Sequence, residues 1–311
     1  MTETGLETAL LEKRSDVVST FVVGAHLVFA ASPVYLGCAL GLGWWLAPLM
    51  LWFGAGMNSV LNLMHECSHY HVFASRGACT ALGRWILGPM ALADFESYRQ
   101  RHWEHHRSLG TDADPKYVYR TPIRGWGLQV LLVKCLSLFE PVQRFRMNAR
   151  VAATKDSAVP DRRWIGRAIL FHSLFVATLG GLALAVRREP ALEVLVETGV
   201  VHAVVFLYGL AAITVFIASL RAIAEHQIGD DAARHQEGAA LRNFRGNLFT
   251  RWLFGAYGFA DHYTHHLKPA IPYYQLPRAT RELAGRDPSV SPTHSYLETL
   301  RMLVQGETRS T

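Results

Sequence analysis

The chain has 311 residues, of which 50% are hydrophobic and 18% are charged, and its mean hydropathy is +0.12. This composition is unusually apolar for a soluble protein, so we expect a membrane protein. The formal net charge of +6 fits membrane topology and contact with anionic lipid heads better than nucleic-acid binding, and we expect no nucleic-acid partner.

The first predicted spans follow a short, charged N-terminal segment, residues 1–16. Residues 17–64 contain no Asp, Glu, Lys or Arg, which leaves room for two spans of about 20 residues each. Pro33 and the glycines that follow it favour a turn in the middle of this stretch. We therefore predict spans at about residues 17–34 and 44–64.

The second half of the chain repeats this arrangement. Residues 168–186 and 198–220 are uncharged, and a short charged segment separates them. The sequence therefore predicts an all-α integral membrane protein with four transmembrane helices in two hairpins. Residues 17–311 form one membrane domain, in which residues 65–167 and 221–311 make a helical cap outside the bilayer.

Basic residues distinguish the two sides of the membrane, because short loops rich in Lys and Arg remain in the cytoplasm. Of the 31 Lys and Arg residues, only Arg187 and Arg188 lie between the paired spans. All the others precede the first span or belong to the cap. We therefore expect the cap and both termini to be cytoplasmic, and the protein to reside in the inner membrane of the cell.

Two stretches of the cap, residues 128–146 and 241–257, mix apolar with basic residues. We predict that both are helices whose apolar faces rest on lipid. Residues 295–305 are predicted to form a short amphipathic helix. The four cysteines show no C-x-x-C pairing, so we interpret them as packing residues.

Histidines form three clusters in the predicted cap. The pattern H-x-x-H-H begins at His102 and again at His262, and H-x-x-x-H joins His65 to His69. Two copies of the longer pattern are rare by chance, whereas one H-x-x-x-H is not. His65 and His69 are therefore candidate ligands only because the other two clusters are present. Helix positions three and four apart share a face, and imidazoles are the commonest protein metal ligands. The clusters therefore predict a composite site for two metal ions on the cytoplasmic side.

The three clusters resemble the histidine boxes of the membrane fatty-acid desaturase superfamily, whose members are di-iron enzymes that activate dioxygen. The flanking sequences agree at residues 95–115, which read FESYRQRHWEHHRSLGTDADP, and at residues 265–277, which read HHLKPAIPYYQLP. The sequence RAIAEH, which ends at His226, resembles the additional ligand of that family beyond the fourth span. The resemblance covers roughly residues 44–286.

This resemblance implies an oxidoreductase that introduces a C=C bond into a fatty acyl chain or a related lipid or metabolite. Two iron ions would activate dioxygen with electrons from an external donor. Eight of the nine implied ligands also follow from the histidine spacing, whereas His226 depends on the resemblance. The implied iron ligands are His65, His69, His102, His105, His106, His226, His262, His265 and His266.

Several other polar residues adjoin these histidines. Glu104, Glu225 and Asp261 are candidates to orient imidazoles by accepting their second N–H, although a helix-surface role fits Glu104 and Asp261 equally well. We assign His71 a role outside the ligand set. The Asp-x-Asp-Pro sequence at residues 112–115 favours a turn over a metal ligand.

The electrons are expected to come from a partner protein. The chain shows no haem-binding segment, no ferredoxin-type cysteine spacing and no dinucleotide-binding glycine motif. We therefore expect a ferredoxin or another reductase-linked carrier to dock on the cytoplasmic face. Arg99, Arg101 and Arg107 offer an acidic carrier a basic surface, although cytoplasmic topology explains these arginines equally well.

Two other functions remain open. A related di-iron hydroxylase or ketolase of a lipid, alkane or carotenoid has similar histidine boxes, and the sequence fits a hydroxylated product as well as a double bond. A polytopic zinc-binding protein or metal transporter is the more distant alternative. A transporter should carry polar ligands along a path inside its spans, whereas these clusters lie at the predicted cytoplasmic ends.

Overall fold

The computed structural model describes residues 15–116, 118–120, 122–154, 162–229, 234–236 and 239–305. The side chains of residues 147–154 and 234–236 are not described, and the predicted N-terminal segment lies almost wholly outside the described residues. The helices of six or more residues are, in chain order, α1 (Asp16–Leu40), α2 (Leu46–Ser68), α3 (Arg76–Leu82), α4 (Phe95–Ser108), α5 (Gly127–Leu136), α6 (Phe139–Thr154), α7 (Arg163–Val186), α8 (Ala191–His226), α9 (Leu248–Leu253), α10 (His262–Leu267), α11 (Leu276–Ala284) and α12 (Tyr296–Gln305).

Four of these helices, α1, α2, α7 and α8, are long and apolar enough to cross a membrane. Short connections join α1 to α2 and α7 to α8, so the prediction of an all-α membrane protein with two helical hairpins is confirmed. The outward face of α7 exposes apolar side chains such as Ile169 and Leu174, as a surface that contacts lipid should. The chain is therefore an integral membrane protein.

Helix α8 is longer than a bilayer requires. Its 36 residues, at 1.5 Å each, extend about 54 Å, against a hydrocarbon core of about 30 Å. It begins at Ala191, inside the charged segment that separates the two predicted spans, and it contains a π-helical stretch, His202–Thr214. The additional length allows the last turn to carry Glu225 and His226 beyond the apolar part of the helix.

Small residues set the distance between the central helices. A Cβ atom added at Gly54 of α2 would come within 2.4 Å of the Ile213 side chain of α8. At Gly56, an added Cβ would lie 3.2 Å from the Cα of Ala30 in α1. Helix α2 can therefore pack closely between α1 and α8, and its C-terminal end is held beside that of α8.

The first of the predicted interfacial stretches, residues 128–146, is helical with one interruption. Helix α5 ends at Leu136 and α6 begins at Phe139, because Leu138 adopts a left-handed conformation with φ of 61°. Val133 and Phe145 are largely exposed, which fits helices that rest an apolar surface on lipid.

The prediction of one helix over residues 241–257 is wrong, because only α9 is helical there. Leu241 belongs instead to a short antiparallel pair of strands, β1 (Arg234–Gln236) and β2 (Ala239–Leu241). Arg242 explains this difference, since its side chain donates hydrogen bonds to the carbonyls of Ala224 and Gln227 at the end of α8. The segment is thus used to fix α8 rather than to lie along the membrane.

The predictions for residues 295–305 and for the cysteines are confirmed. Residues 295–305 contain α12, whose Tyr296 ring stacks on Phe244 with 3.8 Å between the ring centroids. All four cysteines are free and buried, as expected of packing residues. The cap therefore has an apolar core of its own next to the transmembrane helices.

Candidate metal centre

Four separate parts of the chain deliver the nine histidines. Helix α2 carries His65 in its last turn, and His69 follows it directly. Helix α8 ends at His226. Helices α4 and α10 each carry one H-x-x-H-H pattern, whose histidines lie three and four positions apart and so share one helix face. All four parts meet at the C-terminal ends of α2 and α8.

Five histidines form the first group, which we call cluster A. Their ring nitrogens lie within 4.8 Å of one another. The Nε2 atom of His102 is 2.6 Å from that of His69 and 3.0 Å from that of His106. Cluster A consists of His65, His69, His102, His106 and His265.

The other four histidines belong to two overlapping groups that share His226, one with His105 and His266 and the other with Glu225 and His262. We call these four histidines cluster B. The Nε2 atom of His262 lies 2.9 Å from that of His226 and 3.2 Å from that of His266. The two clusters adjoin, because the rings of His106 and His266 are only 4.4 Å apart between centroids. The structure therefore brings all nine histidines into one pocket, as the sequence predicted.

Hydrogen bonds on Nδ1 turn several imidazoles toward the pocket. His65 donates from Nδ1 to Glu66 at 2.7 Å, His105 donates to Asp114 at 2.9 Å, and His226 donates to the Ala240 carbonyl of β2 at 3.2 Å. A neutral ring that donates from Nδ1 keeps its lone pair on Nε2. Within the described part of the chain, Nε2 of His65 and of His105 is buried without a hydrogen-bond partner.

Electrostatics favour neutral imidazoles throughout the pocket. Burial lowers the pKa of His102, His105, His262 and His265 well below the ordinary value. Burial also lowers the pKa of His106, to about 3. Neutral rings whose lone pairs converge at such short distances repel one another unless a cation lies between them, so this donor set fits metal ions.

Two carboxylates that the sequence analysis did not assign to the site hold ligand candidates in place. Glu66 accepts from His65 and, through its other oxygen at 3.1 Å, from His71. His71 lies outside the two clusters, as predicted. Glu66 follows His65 directly in the sequence, and that adjacency was the signal available for this role.

Asp114 is the second carboxylate. Its side chain accepts from the Lys116 amide at 2.8 Å, which makes the turn that the sequence predicts, and it also receives the Tyr119 hydroxyl. Burial raises the pKa of Asp114, and the hydrogen bond from Tyr119 opposes that rise. The turn therefore has a further use, because it places an acceptor against His105.

The three acidic residues singled out from the sequence lie in different surroundings. Glu225 reaches a ligand candidate, since its Oε2 is 3.6 Å from Nε2 of His262. Asp261 is buried and accepts a hydrogen bond from Thr280; burial raises its pKa. Glu104 is partly buried near Arg101 and stabilises the positive charge of that arginine.

Comparison with known proteins agrees with this architecture. The fatty acid desaturase family matches residues 42–297. The chain is 28% identical over 255 residues to the rat sphingolipid delta(4)-desaturase/C4-monooxygenase DES2, covering 78% of this chain and 68% of the relative. The human protein of that name is 27% identical over 278 residues, covering 85% of this chain and 75% of the relative. A beta-carotene ketolase from Paracoccus sp. (strain PC1) is 25% identical over 240 residues, covering 76% of this chain and 78% of the relative.

The fold and the histidine clusters thus define an integral membrane protein with a candidate metal centre at one end of its helices. The chain belongs to the fatty acid desaturase family, because that family's match covers most of its length. It is an oxidoreductase of the membrane desaturase and hydroxylase type, with lipid as the general substrate class. Family membership implies iron-dependent catalysis and removes the metal transporter as an alternative.

Proposed function

We propose that this protein is a di-iron, dioxygen-dependent desaturase that introduces a C=C bond into a fatty acyl chain or a related lipid. The observation that carries the proposal is the convergence of nine imidazoles into two adjoining clusters. Removing hydrogen from an unactivated methylene requires an oxidant stronger than any side chain, and bound iron would supply it from dioxygen and two electrons.

In this proposal each cluster holds one iron through its histidines. Glu66 and Asp114 fix the orientation of His65 and His105, and the carboxyl group of Glu225 lies beside His262. Asp261, through Thr280, positions the start of α10, while Glu104 balances the charge of Arg101 next to the site. Burial of the pocket excludes bulk water from the reacting carbon.

The electron source and the orientation in the membrane belong to the same proposal. A ferredoxin or another reductase-linked carrier would dock on the cap, whose excess of Lys and Arg also supports a cytoplasmic location in the inner membrane. Arg107 is exposed on α4, close to the histidines of that helix, and belongs to this basic surface.

A hydroxylase or ketolase is the second candidate, and the names of two relatives support it. One relative is named a monooxygenase as well as a desaturase, and another is named a ketolase. The same histidine pocket serves both outcomes, because they differ in whether a second hydrogen or a hydroxyl group is transferred after the first hydrogen is removed.

Product analysis distinguishes these functions. We would express the wild type, His105→Ala and, as a control outside both clusters, His294→Ala, and then profile lipids and metabolites by mass spectrometry. A new unsaturated product that requires His105 but not His294 supports the desaturase, and a new hydroxylated or keto product selects the second candidate. Purified protein that contains zinc and no iron would refute both.

A further inference from the structure

A cavity of about 260 Å³ lies against the candidate metal centre and is not explained by metal binding. His102 of cluster A forms part of its wall, and Ala222, one helical turn before His226, forms another part. The cavity is bounded by α4, α6, α8 and the turn after Asp114. A molecule that occupies it therefore lies directly beside the histidines.

Four cationic side chains line this cavity, namely Arg101, Lys116, Arg144 and Arg221. Among the described residues that line it there is no Asp or Glu. Apolar side chains, including those of Val118 and Ala222, complete the wall. A small cavity with this lining suits an anionic group attached to an apolar chain.

Acids behind the wall compensate these cations only in part. Arg144 is held by Glu140 at 3.0 Å and by the Ser219 hydroxyl at 2.6 Å. Arg221 lies 3.4 Å from Glu225, but in the described chain its Nε and Nη1 atoms are buried without a hydrogen-bond partner. Its guanidinium group also stacks over the Phe259 ring, with 4.0 Å to the ring centroid, so Glu225 offsets its charge without a direct hydrogen bond.

The other two cations also have acidic neighbours. Asp94 and Glu104 stabilise the charge of Arg101. Burial lowers the pKa of Lys116 to about 8, against the opposing effect of Glu225. An anion in the cavity would restore the favourable surroundings that the charge of Lys116 loses on burial.

We propose that this cavity binds a carboxylate or phosphate group of the substrate, so that the oxidised carbon belongs to an anionic lipid. A neutral hydrocarbon would leave four cations facing an apolar molecule, which is an unfavourable arrangement. The position of Arg221 at the end of the uncharged part of α8 suits such an amphiphile, because the charged end of the amphiphile can remain near the membrane surface. This inference rests on the proposed function, since it places the anion beside the proposed iron ligand His102.

Equilibrium binding to the full-length protein in phosphatidylcholine nanodiscs tests this assignment. The probes are radiolabelled hexadecanoate, hexadecyl phosphate and, as the neutral control, hexadecanol. We expect one or both anionic probes to bind at least about tenfold more tightly than hexadecanol, because each hydrogen bond to a charged group contributes strongly to affinity. The two anionic probes show whether carboxylate or phosphate is preferred.

Two variants connect that preference to the cavity. Arg101→Gln and Lys116→Gln should each weaken binding of the preferred anion by about tenfold while leaving hexadecanol affinity unchanged, which also shows that the variants are folded. Arg124→Gln removes the same charge from an exposed position in the cap and should keep the full preference.

Equal binding of hexadecanol and both anions by the wild type would overturn the proposal, as would an anion preference that survives both substitutions. Because binding is measured without dioxygen or an electron donor, these outcomes are separate from failure of the proposed function. A protein that forms the unsaturated product but shows no anion preference would refute only the cavity assignment.

Discussion

Clusters A and B are built from the same side chain but differ in the acidic groups around them. Cluster A gathers five imidazoles, and Glu66 contacts it only through Nδ1 of His65, on the side away from the pocket. Cluster B gathers four imidazoles and has Glu225 within 3.6 Å of Nε2 of His262. In the proposed enzyme, the ion in cluster B would have the carboxyl group of Glu225 close by, and the ion in cluster A would depend on imidazoles alone.

The two clusters also have the same arrangement of hydrogen bonds behind one of their histidines. In each, one histidine donates from Nδ1 to a buried carboxylate, and a second side chain holds that carboxylate. In cluster A the carboxylate is that of Glu66, and His71 holds it. In cluster B the carboxylate is that of Asp114, and Tyr119 holds it. Each ring is therefore oriented before a metal binds, which lowers the free-energy cost of assembling the site.

The largest expected effect is the removal of one ligand from one cluster. His226→Ala should abolish measurable product and reduce iron from two atoms per chain toward one, because cluster B keeps only three imidazoles. The loss of activity should exceed about 100-fold, since removal of an outer hydrogen-bond partner already costs 10- to 100-fold. Elemental analysis of purified protein measures the iron, and product formation measures the activity.

His65→Ala provides the matched change in cluster A, which would still hold four imidazoles. We expect this variant to retain more iron than His226→Ala while losing activity to a similar extent. Two variants that lose both ions equally would show that the clusters do not bind metal independently, and two that keep full activity would refute the metal assignment.

The next effect comes from the carboxylates behind the ligands. Glu66→Gln and Asp114→Asn keep the shape of each side chain but remove the charge that favours a donating Nδ1–H. Each should lower metal affinity at its own cluster by about 10- to 100-fold. Iron remaining during titration with a chelator measures this, with one of the two ions released early in each variant.

Asp112→Asn is the control for Asp114→Asn. Asp112 lies two residues away, its side chain is fully exposed, and it pairs loosely with Arg120 at 3.7 Å. Its substitution should leave the chelator titration unchanged. A similar early release of iron from the Asp112 and Asp114 variants would point to a general effect of the turn instead of a hydrogen bond to His105.

The features that the sequence predicted are those set by local patterns. Uncharged runs predict the four membrane helices because each run must satisfy its own backbone inside lipid. The H-x-x-H-H spacing predicts shared helix faces at His102 and His262, and charge topology puts the clusters at the same end. A pocket containing eight of the nine histidines could therefore be anticipated from these patterns, and His226 was added by the resemblance to the desaturase superfamily.

The features that it missed depend on contacts between distant segments. Residues 241–257 contain enough apolar residues for a helix, but Arg242 bonds to the end of α8, and β2 offers the Ala240 carbonyl to His226. The second role of Asp114 likewise depends on how the turn folds back on α4. No periodicity in the sequence encodes such long-range hydrogen bonds.

Acid should destabilise the metal-free protein, because burial holds the pKa of the pocket histidines below the ordinary value of 6.5. Below pH 6.5 the unfolded chain binds protons that the folded pocket does not accept until much lower pH, near 3 for His106. The contribution of these neutral histidines to the free energy of unfolding is therefore present above pH 6.5 and is lost as the pH falls toward 3. For each such histidine, the equilibrium constant for folding falls by up to about tenfold for each pH unit below 6.5.

Thermal unfolding of chelator-treated protein between pH 7.5 and 5.5 measures this effect. The wild-type midpoint should fall across this range, and His106→Gln should show a shallower decrease because one titrating group is absent. A midpoint that stays constant from pH 7.5 to 5.5 would contradict the presence of buried neutral imidazoles.

The smallest expected effect concerns the side chains that hold the carboxylates. Tyr119→Phe removes one hydroxyl donor from Asp114 and should weaken metal binding at cluster B by about three- to tenfold, the range expected for one hydrogen bond. His71→Phe removes the corresponding donor from Glu66 and should act on cluster A. In chelator titrations, each variant should release one ion slightly early and leave the other unchanged. Equal release of both ions from either variant would show that the two carboxylates do not serve separate clusters.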